Sequence, residues 1–299
     1  MPKEIRVALI GLDTSHTIEF ARRMQAPDCS LEQRVAGMKA VTCLRFETPF
    51  QNKEGLDKRQ AQLEEWGVRV TTDFNEAVAH CDAIMLEIND PAYHLEYFTK
   101  CADLGKPIFV DKPLADTLEN GQKIIQLARA KNVRMFSSSS LRFVPQLIEA
   151  VRAIPEPNYV TVYGPLGKAP SGSSIVWYGV HAFEMLERAM GRGALAVTTR
   201  PDSAGAVAIV DYPNGNRGVV ELNEGSWSYG GCLRTKDKAV PFTVNMGRAY
   251  SDQLELVAKF FRGDDPPVEA EDTLEVMALL DAAERSAQTG QTQPLGLAQ

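Results

Sequence analysis

The sequence predicts an α/β protein. A Rossmann-type, doubly wound parallel sheet spans residues 1–140, and an α+β domain with a mainly antiparallel open sheet follows over 141–299. Three observations carry this expectation. Apolar, β-branched strands alternate with helical patterns up to about residue 140, the signature of parallel strands joined by right-handed crossovers. The first strand stops on Gly11 and leads into a helix, the junction beside which open parallel sheets bind ligands. Beyond residue 140, short strands joined by turn signals outnumber helices, as in a sheet covered on one face.

The elements follow in order. Residues 5–10 form a buried strand, and 17–24 have a helical period. A second strand covers 40–46, a charged amphipathic helix 56–66 and a short strand 68–71. Asp73 is placed to cap a helix over 75–79, and 82–88 is a strand. Pro91 opens a helix that runs to about residue 104, where Gly105 stops it. Residues 107–110 form a strand, Asp116 or Thr117 starts a helix to about 131, and 133–137 is another strand. In the second half, strands are expected at 159–163, 195–200, 204–212, 217–223, 231–235 and 241–245. The run Pro213-Asn214-Gly215-Asn216 turns the chain between two of them. Helices are expected at 179–190, 251–261 and 272–288.

Composition narrows the function. With 44% hydrophobic and 24% charged residues, a 299-residue chain can bury a core without covalent staples. A formal net charge of −7 and a pI of about 5.3 argue against nucleic acid or an anionic membrane as the main partner. The five cysteines (Cys29, Cys43, Cys81, Cys101 and Cys232) form no C-x-x-C pair, as expected of free thiols in a reducing compartment. The apolar run at 5–12 is too short for a signal-peptide core, and no later stretch reaches spanning length. The expected location is the cytoplasm.

The chemistry-bearing residues gather at expected strand ends. The loop Gly11-Leu12-Asp13-Thr14-Ser15-His16 occupies the place of a G-x-G-x-x-G dinucleotide fingerprint, with only the first glycine kept. A carboxylate at Asp13 would crowd a phosphate; Asp13, Thr14 or Ser15 could equally cap the following helix. At the end of the second strand, where a ribose-binding acid is expected, stand Leu44, Arg45 and the later Glu47. Arg45 either meets a 2′-phosphate or is solvated. The run 105–115 sends an apolar strand into Asp111-Lys112-Pro113 at its carboxyl end. Proline restricts the residue before it to extended backbone, and a lysine there can hydrogen-bond a substrate oxygen or a nicotinamide.

Taken together, these motifs resemble the Gfo/Idh/MocA oxidoreductases, the family of glucose-fructose oxidoreductase and inositol dehydrogenase. The family's Glu-Lys-Pro motif after a Gly-Lys pair is matched by Asp111-Lys112-Pro113 after Gly105-Lys106. Its proline and histidine before the intervening helix are matched by Pro91 and His94, and its helix-opening glycine and histidine by the run Gly179-Val180-His181. Its arginine-ended segment corresponds to residues 137–142, and Glu271-Asp272 through Ala283, Ser286 and Gly290 also fit. The resemblance implies hydride transfer between NAD or NADP, NAD placed first, and a carbinol carbon of a sugar-like or polyol substrate. It implies Lys112 and His181 as the catalytic pair. Gly11, Asp13, Thr14, Ser15, His16, Arg45, His94, Asp111 and Pro113 fall at the cofactor, and Trp177 and Arg142 at the substrate. It also implies a homodimer or homotetramer built on the open sheet.

Three departures stand beside the resemblance. Trp177 occupies the place of the family's aspartate four residues before the histidine, the glycine fingerprint is degraded, and the stretch between Tyr163 and Val176 is short. They raise two other readings: a ligand-binding regulatory module without turnover, or a redox-neutral lyase or hydrolase. His16, His94 and His181 with Asp13 and Asp111 are donor types of a zinc-like site. Their spacing matches no short metal motif, and no metal ligand is assigned.

Overall fold

The computed structural model describes residues 4–297. The first half builds six parallel strands with intervening helices: β1 (Ile5–Ile10), α1 (Ser15–Gln25), β2 (Met38–Leu44), α2 (Lys53–Glu65), β3 (Arg69–Thr71), α3 (Phe74–Val78), β4 (Ala83–Leu86), α4 (His94–Ala102), β5 (Ile108–Val110), α5 (Leu118–Ala130) and β6 (Met135–Ser137). The strand order is β3-β2-β1-β4-β5-β6. This is the doubly wound order, with its reversal between β1 and β4. β1 and β4 have four consecutive buried residues each, as strands covered on both faces require.

Capping explains several boundaries. Thr14 caps α1, Asn52 caps α2, Asp73 caps α3 and Thr117 caps α5, each accepting a backbone N–H with its side chain. The helix expected from Pro91 is instead a 3₁₀ turn (Pro91–Tyr93) leading into α4, which ends at Ala102. Asp90 accepts the Ala92 N–H and tightens that first turn.

The second half opens with α6 (Pro145–Ala153), a helix absent from the expectation above. Proline at its first position and buried Leu147, Ala150 and Ile154 at three- and four-residue spacing are its signals. β7 (Tyr159–Pro165), a π-helical turn (Ile175–Gly179), α7 (Val180–Met190), β8 (Ala196–Asp202), β9 (Gly205–Asp211), β10 (Arg217–Asn223), β11 (Gly230–Arg234) and β12 (Ala239–Thr243) follow. α8 (Ala249–Phe261), α9 (Ala270–Thr289) and β13 (Gln293–Pro294) close the chain. The seven-stranded sheet runs β12-β11-β7-β10-β9-β8-β13. It is antiparallel throughout except for the central β7–β10 pair, which is parallel. β7, β9 and β10 alternate buried with exposed or half-buried positions. α7 packs on β7 and β10, and α9 on β8. The other face is open.

Two compact units result. One joins the described residues up to Ser137 with Gly247–Glu269; the other joins Ser138–Met246 with those from Ala270 onward. α8 therefore returns to the Rossmann unit. Its Leu254, Val257, Ala258, Phe260 and Phe261 share a core with Val7, Phe20, Phe109 and Phe136. Phe260 meets Phe136 edge-on at 5.0 Å, and the Arg134 guanidinium donates to the Phe260 carbonyl at 3.0 Å. Among the described residues no helix is long and apolar enough to cross a membrane.

Candidate active site

In the first unit, candidate side chains gather at the carboxyl ends of β1, β4 and β5. Gly11 ends β1 with φ +112°. A Cβ there would lie 2.3 Å from the Glu87 carbonyl oxygen, so the glycine is required by the close approach of two strands. Thr14 is the residue that caps α1, accepting the His16 N–H at 3.2 Å. Ser15 is exposed on the first helical turn. The N–H groups of that turn make an anion-binding end.

Asp13 does not face outward as the bare motif suggested. It is 1% exposed. One of its oxygens accepts the Asn89 N–H at 2.8 Å; the other accepts the Thr48 hydroxyl at 2.7 Å and the Asp90 N–H at 3.3 Å. Its charge is spent tying the β1–α1 loop to the segment after β4. Arg59, from α2, donates to the Leu12 carbonyl at 3.0 Å; burial lowers its pKa, and the nearby Asp13 opposes this. It thus sets a cation on the same loop. No spacing rule connects residues 47 apart, and the sequence reading missed it.

Three other assignments need correction or completion. His94 does not line a cofactor cleft. It is fully buried, with its ring nitrogens 3.1 Å from the Leu114 carbonyl and 2.8 Å from the Ile88 carbonyl. It clamps the loops after β4 and β5. Arg45 is neither simply solvated nor poised alone: its guanidinium donates to Gln60 at 2.6 Å and Asp57 at 2.5 Å. Arg142 is not available to a substrate. It is 4% exposed, in the second unit, with Glu184, Glu187 and Asp272 around its guanidinium.

β5 delivers Asp111 and Lys112, both almost fully buried, to the strand edge, followed by a cis peptide to Pro113. Asp111 Oδ2 lies 2.7 Å from His16 Nδ1. Burial alone would push the Asp111 carboxyl up, but His16 and then Lys112 hold it below the ordinary range. Burial pushes Lys112 down, against Asp111 and Glu87. Glu87, which follows β4, is driven well above the usual carboxylate range by burial and then by Asp111. The sequence reading did not single out Glu87. A glutamate after four apolar strand residues was its one signal.

In the second unit, His181 sits in the first turn of α7, 6% exposed. Its Nδ1 lies 2.7 Å from the Ser139 hydroxyl, and Tyr178 and Tyr229 stand edge-on at 5.3 and 5.7 Å. The Ser139 N–H donates to Glu184 at 3.1 Å. Ser139 therefore joins the histidine to the buried ion cluster, though the sequence offered only a four-serine run. Trp177 lies in the π-helical turn before α7, against Tyr178 at 5.0 Å. Just past it, a Cβ on Gly179 would meet Leu222 at 2.9 Å, which is why the turn passes so close to β10. Trp177 also lines a cavity of about 370 Å³ with Lys168, Asn223, Glu224 and Trp227.

Comparison with known proteins agrees with this architecture. Residues 5–139 match the model of the Gfo/Idh/MocA oxidoreductase family, NAD-binding Rossmann fold. YceM, a candidate oxidoreductase of Salmonella typhimurium, is 26% identical over 89 residues, which is 30% of this chain and 29% of that protein. The chain thus matches less than a third of the length of that curated relative. GenD2 from gentamicin A biosynthesis, solved in complex with NAD, superposes with a TM-score of 0.80 at 15% identity, covering 99% of this chain and 98% of that one. The Lactobacillus casei myo-inositol dehydrogenase, in complex with NAD(H) and myo-inositol, also gives 0.80, at 14% identity over 99% and 98% of the two chains. At these identities the likeness is one of fold.

Proposed function

From the premise that residues 5–139 belong to the Gfo/Idh/MocA oxidoreductase family, we propose that the protein is an NAD(P)-dependent oxidoreductase of sugar-like or polyol substrates. One observation carries the reading: Lys112 is buried at the end of β5, beside the carboxylates of Asp111 and Glu87. A lysine in such a place is held for chemistry, because solvation is the ordinary fate of its ammonium.

The residues present fit a dinucleotide. The first turn of α1, with exposed Ser15, offers N–H groups to a pyrophosphate, and Arg59 adds a positive charge to the same loop. The Asp13 carboxylate, bound by Asn89, Asp90 and Thr48, is turned from this role. Gly11, Thr14, His16, Asp111 and Pro113 shape the floor, and His94 supports it from beneath. NAD is placed before NADP, because the Arg45 guanidinium is already engaged by Asp57 and Gln60.

A bound nicotinamide supplies the hydride acceptor. Lys112 donates to the reacting oxygen, and its lowered pKa brings its proton nearer to exchange at neutral pH. His181 is the general base for the hydroxyl proton in oxidation and the acid in reduction. Ser139 fixes its ring and so takes over an orienting job from the missing aspartate. Trp177 offers an aromatic face to the substrate. The open face of the second sheet, with Tyr159 and Ile209 exposed, serves a homodimer or homotetramer, and the enzyme works in the cytoplasm.

Trp177 in the aspartate's place favours one second reading, a ligand-binding module without turnover. Calorimetric titration with NAD⁺, NADH, NADP⁺ and NADPH, followed by a polyol screen, separates the two. Micromolar binding with nucleotide reduction supports the enzyme. Failure of all four nucleotides at millimolar concentration would overturn it.

A further inference from the structure

The loop after β4 buries a carboxylate that the proposed reaction does not use. Glu87 is 0% exposed, and neither of its side-chain oxygens has a hydrogen-bond partner. An ionised or neutral carboxyl left so is costly. Its surroundings contain the means to satisfy it. His16, Glu87 and Asp111, all buried, each present one ligand atom, and these atoms lie within 4.8 Å of one another. The 2.7 Å contact between His16 and Asp111 holds two of the donors together before any ion arrives.

We infer that His16, Glu87 and Asp111 form a site for a divalent transition metal of the zinc or manganese class, independent of whether a dinucleotide binds. One imidazole nitrogen and two carboxylate oxygens suit those ions. Calcium, which takes six to eight oxygen ligands, does not fit three donors of this kind. Three protein ligands leave a fourth position open. Metal binding would release the Glu87 proton, and that of the His16–Asp111 contact where the ion takes the shared nitrogen, to solvent; the two carboxylates then bring two negative charges beside Lys112, so a dication is electrostatically acceptable there.

The site's place in the fold gives it a purpose. His16 belongs to the first turn of α1, Glu87 directly follows β4 and Asp111 directly follows β5. A metal joining them ties together the three segments that form the floor of the sheet's carboxyl edge. A glycine at the third fingerprint position would remove the histidine ligand. Here, His16 itself stands at the third.

The test uses the full chain, stripped with chelator, then titrated with zinc and with manganese in a calorimeter and followed by thermal melting. We expect one equivalent of metal per chain and a raised melting temperature, since an ion bound only by the native state stabilises it. Glu87→Gln, which keeps shape, and His16→Asn should each weaken binding at least tenfold. His80→Asn should leave it unchanged, because His80 is exposed and is not among the clustered donors. Absence of both binding and any melting shift with either ion overturns the inference. So does unchanged binding in Glu87→Gln and His16→Asn, or loss of binding only in His80→Asn. A variant that fails to fold leaves the melting shift of the unaltered chain to decide.

Discussion

Replacing Arg142 with methionine tests the clearest departure from the sequence-based assignment. In the second unit this guanidinium faces three carboxylates: Glu184 at 3.2 Å, Asp272 at 3.6 Å and Glu187 in direct contact. The side chains of Arg142, Glu184 and Glu187 are 5%, 4% and 3% exposed. At an effective dielectric of 20, a pair at this separation attracts by roughly 5 kcal/mol before desolvation is subtracted. Breaking one side of a buried ion pair costs about 3–5 kcal/mol, because the remaining charges are stranded. We therefore expect Arg142→Met to lose about 4 kcal/mol at pH 8. The loss should shrink at pH 5.5. Burial, opposed by Arg142, sets Glu187 at about 7 against an ordinary 4.5; without Arg142 that opposition goes and the carboxyl takes a proton more readily. Urea unfolding reads this directly. Of the three tryptophans, Trp177 and Trp227 lie in the second unit and Trp66 in the first, so a Trp66→Phe background reports the second unit by fluorescence. A loss under 1 kcal/mol at pH 8, or one equal at both pH values, refutes the reasoning.

Other outcomes follow from the same geometry. In the unaltered protein, the raised Glu187 means the native state binds more protons between its unfolded value of 4.5 and its folded value of about 7. That contribution, about 3 kcal/mol, is fully present below the lower value and is lost as pH rises through the higher one; urea midpoints at pH 5 and pH 8 measure it. Lys112→Met should keep the fold and nucleotide affinity while any polyol oxidation found falls roughly 10²–10⁴-fold, as steady-state kinetics would show. Gly11→Ala must accept a Cβ 2.3 Å from the Glu87 carbonyl oxygen, and thermal melting should show a loss of roughly 2–4 kcal/mol. Burial pushes the Cys101 thiol up to about 12, so iodoacetamide at pH 8 should modify it only after urea unfolding, as peptide mass mapping would detect.

The sequence by itself determined the alternation of strands and helices in the first half, because continuous apolar strands and capping residues such as Asp73 and Thr117 act within a few residues of themselves. It also placed Lys112 at a strand end and His181 at a helix start, since motif and element share the same short window. α6 was legible in principle through Pro145 and the spacing of Leu147 and Ala150, although the expectation of strands passed over it.

Tertiary structure decided what each of these side chains meets. Arg142 looked like a ligand for substrate until folding surrounded it with Glu184, Glu187 and Asp272, two from α7 and one from α9. Asp13 looked hostile to phosphate until the backbone of residues 89 and 90 turned its N–H groups toward it. Arg59 and Ser139 meet partners tens of residues away, and α8 rejoined the first unit across more than a hundred intervening residues. Periodicity and capping are local, so sequence displays them; a buried charge is defined by what the folded chain brings within a few ångströms, and no local pattern encodes that.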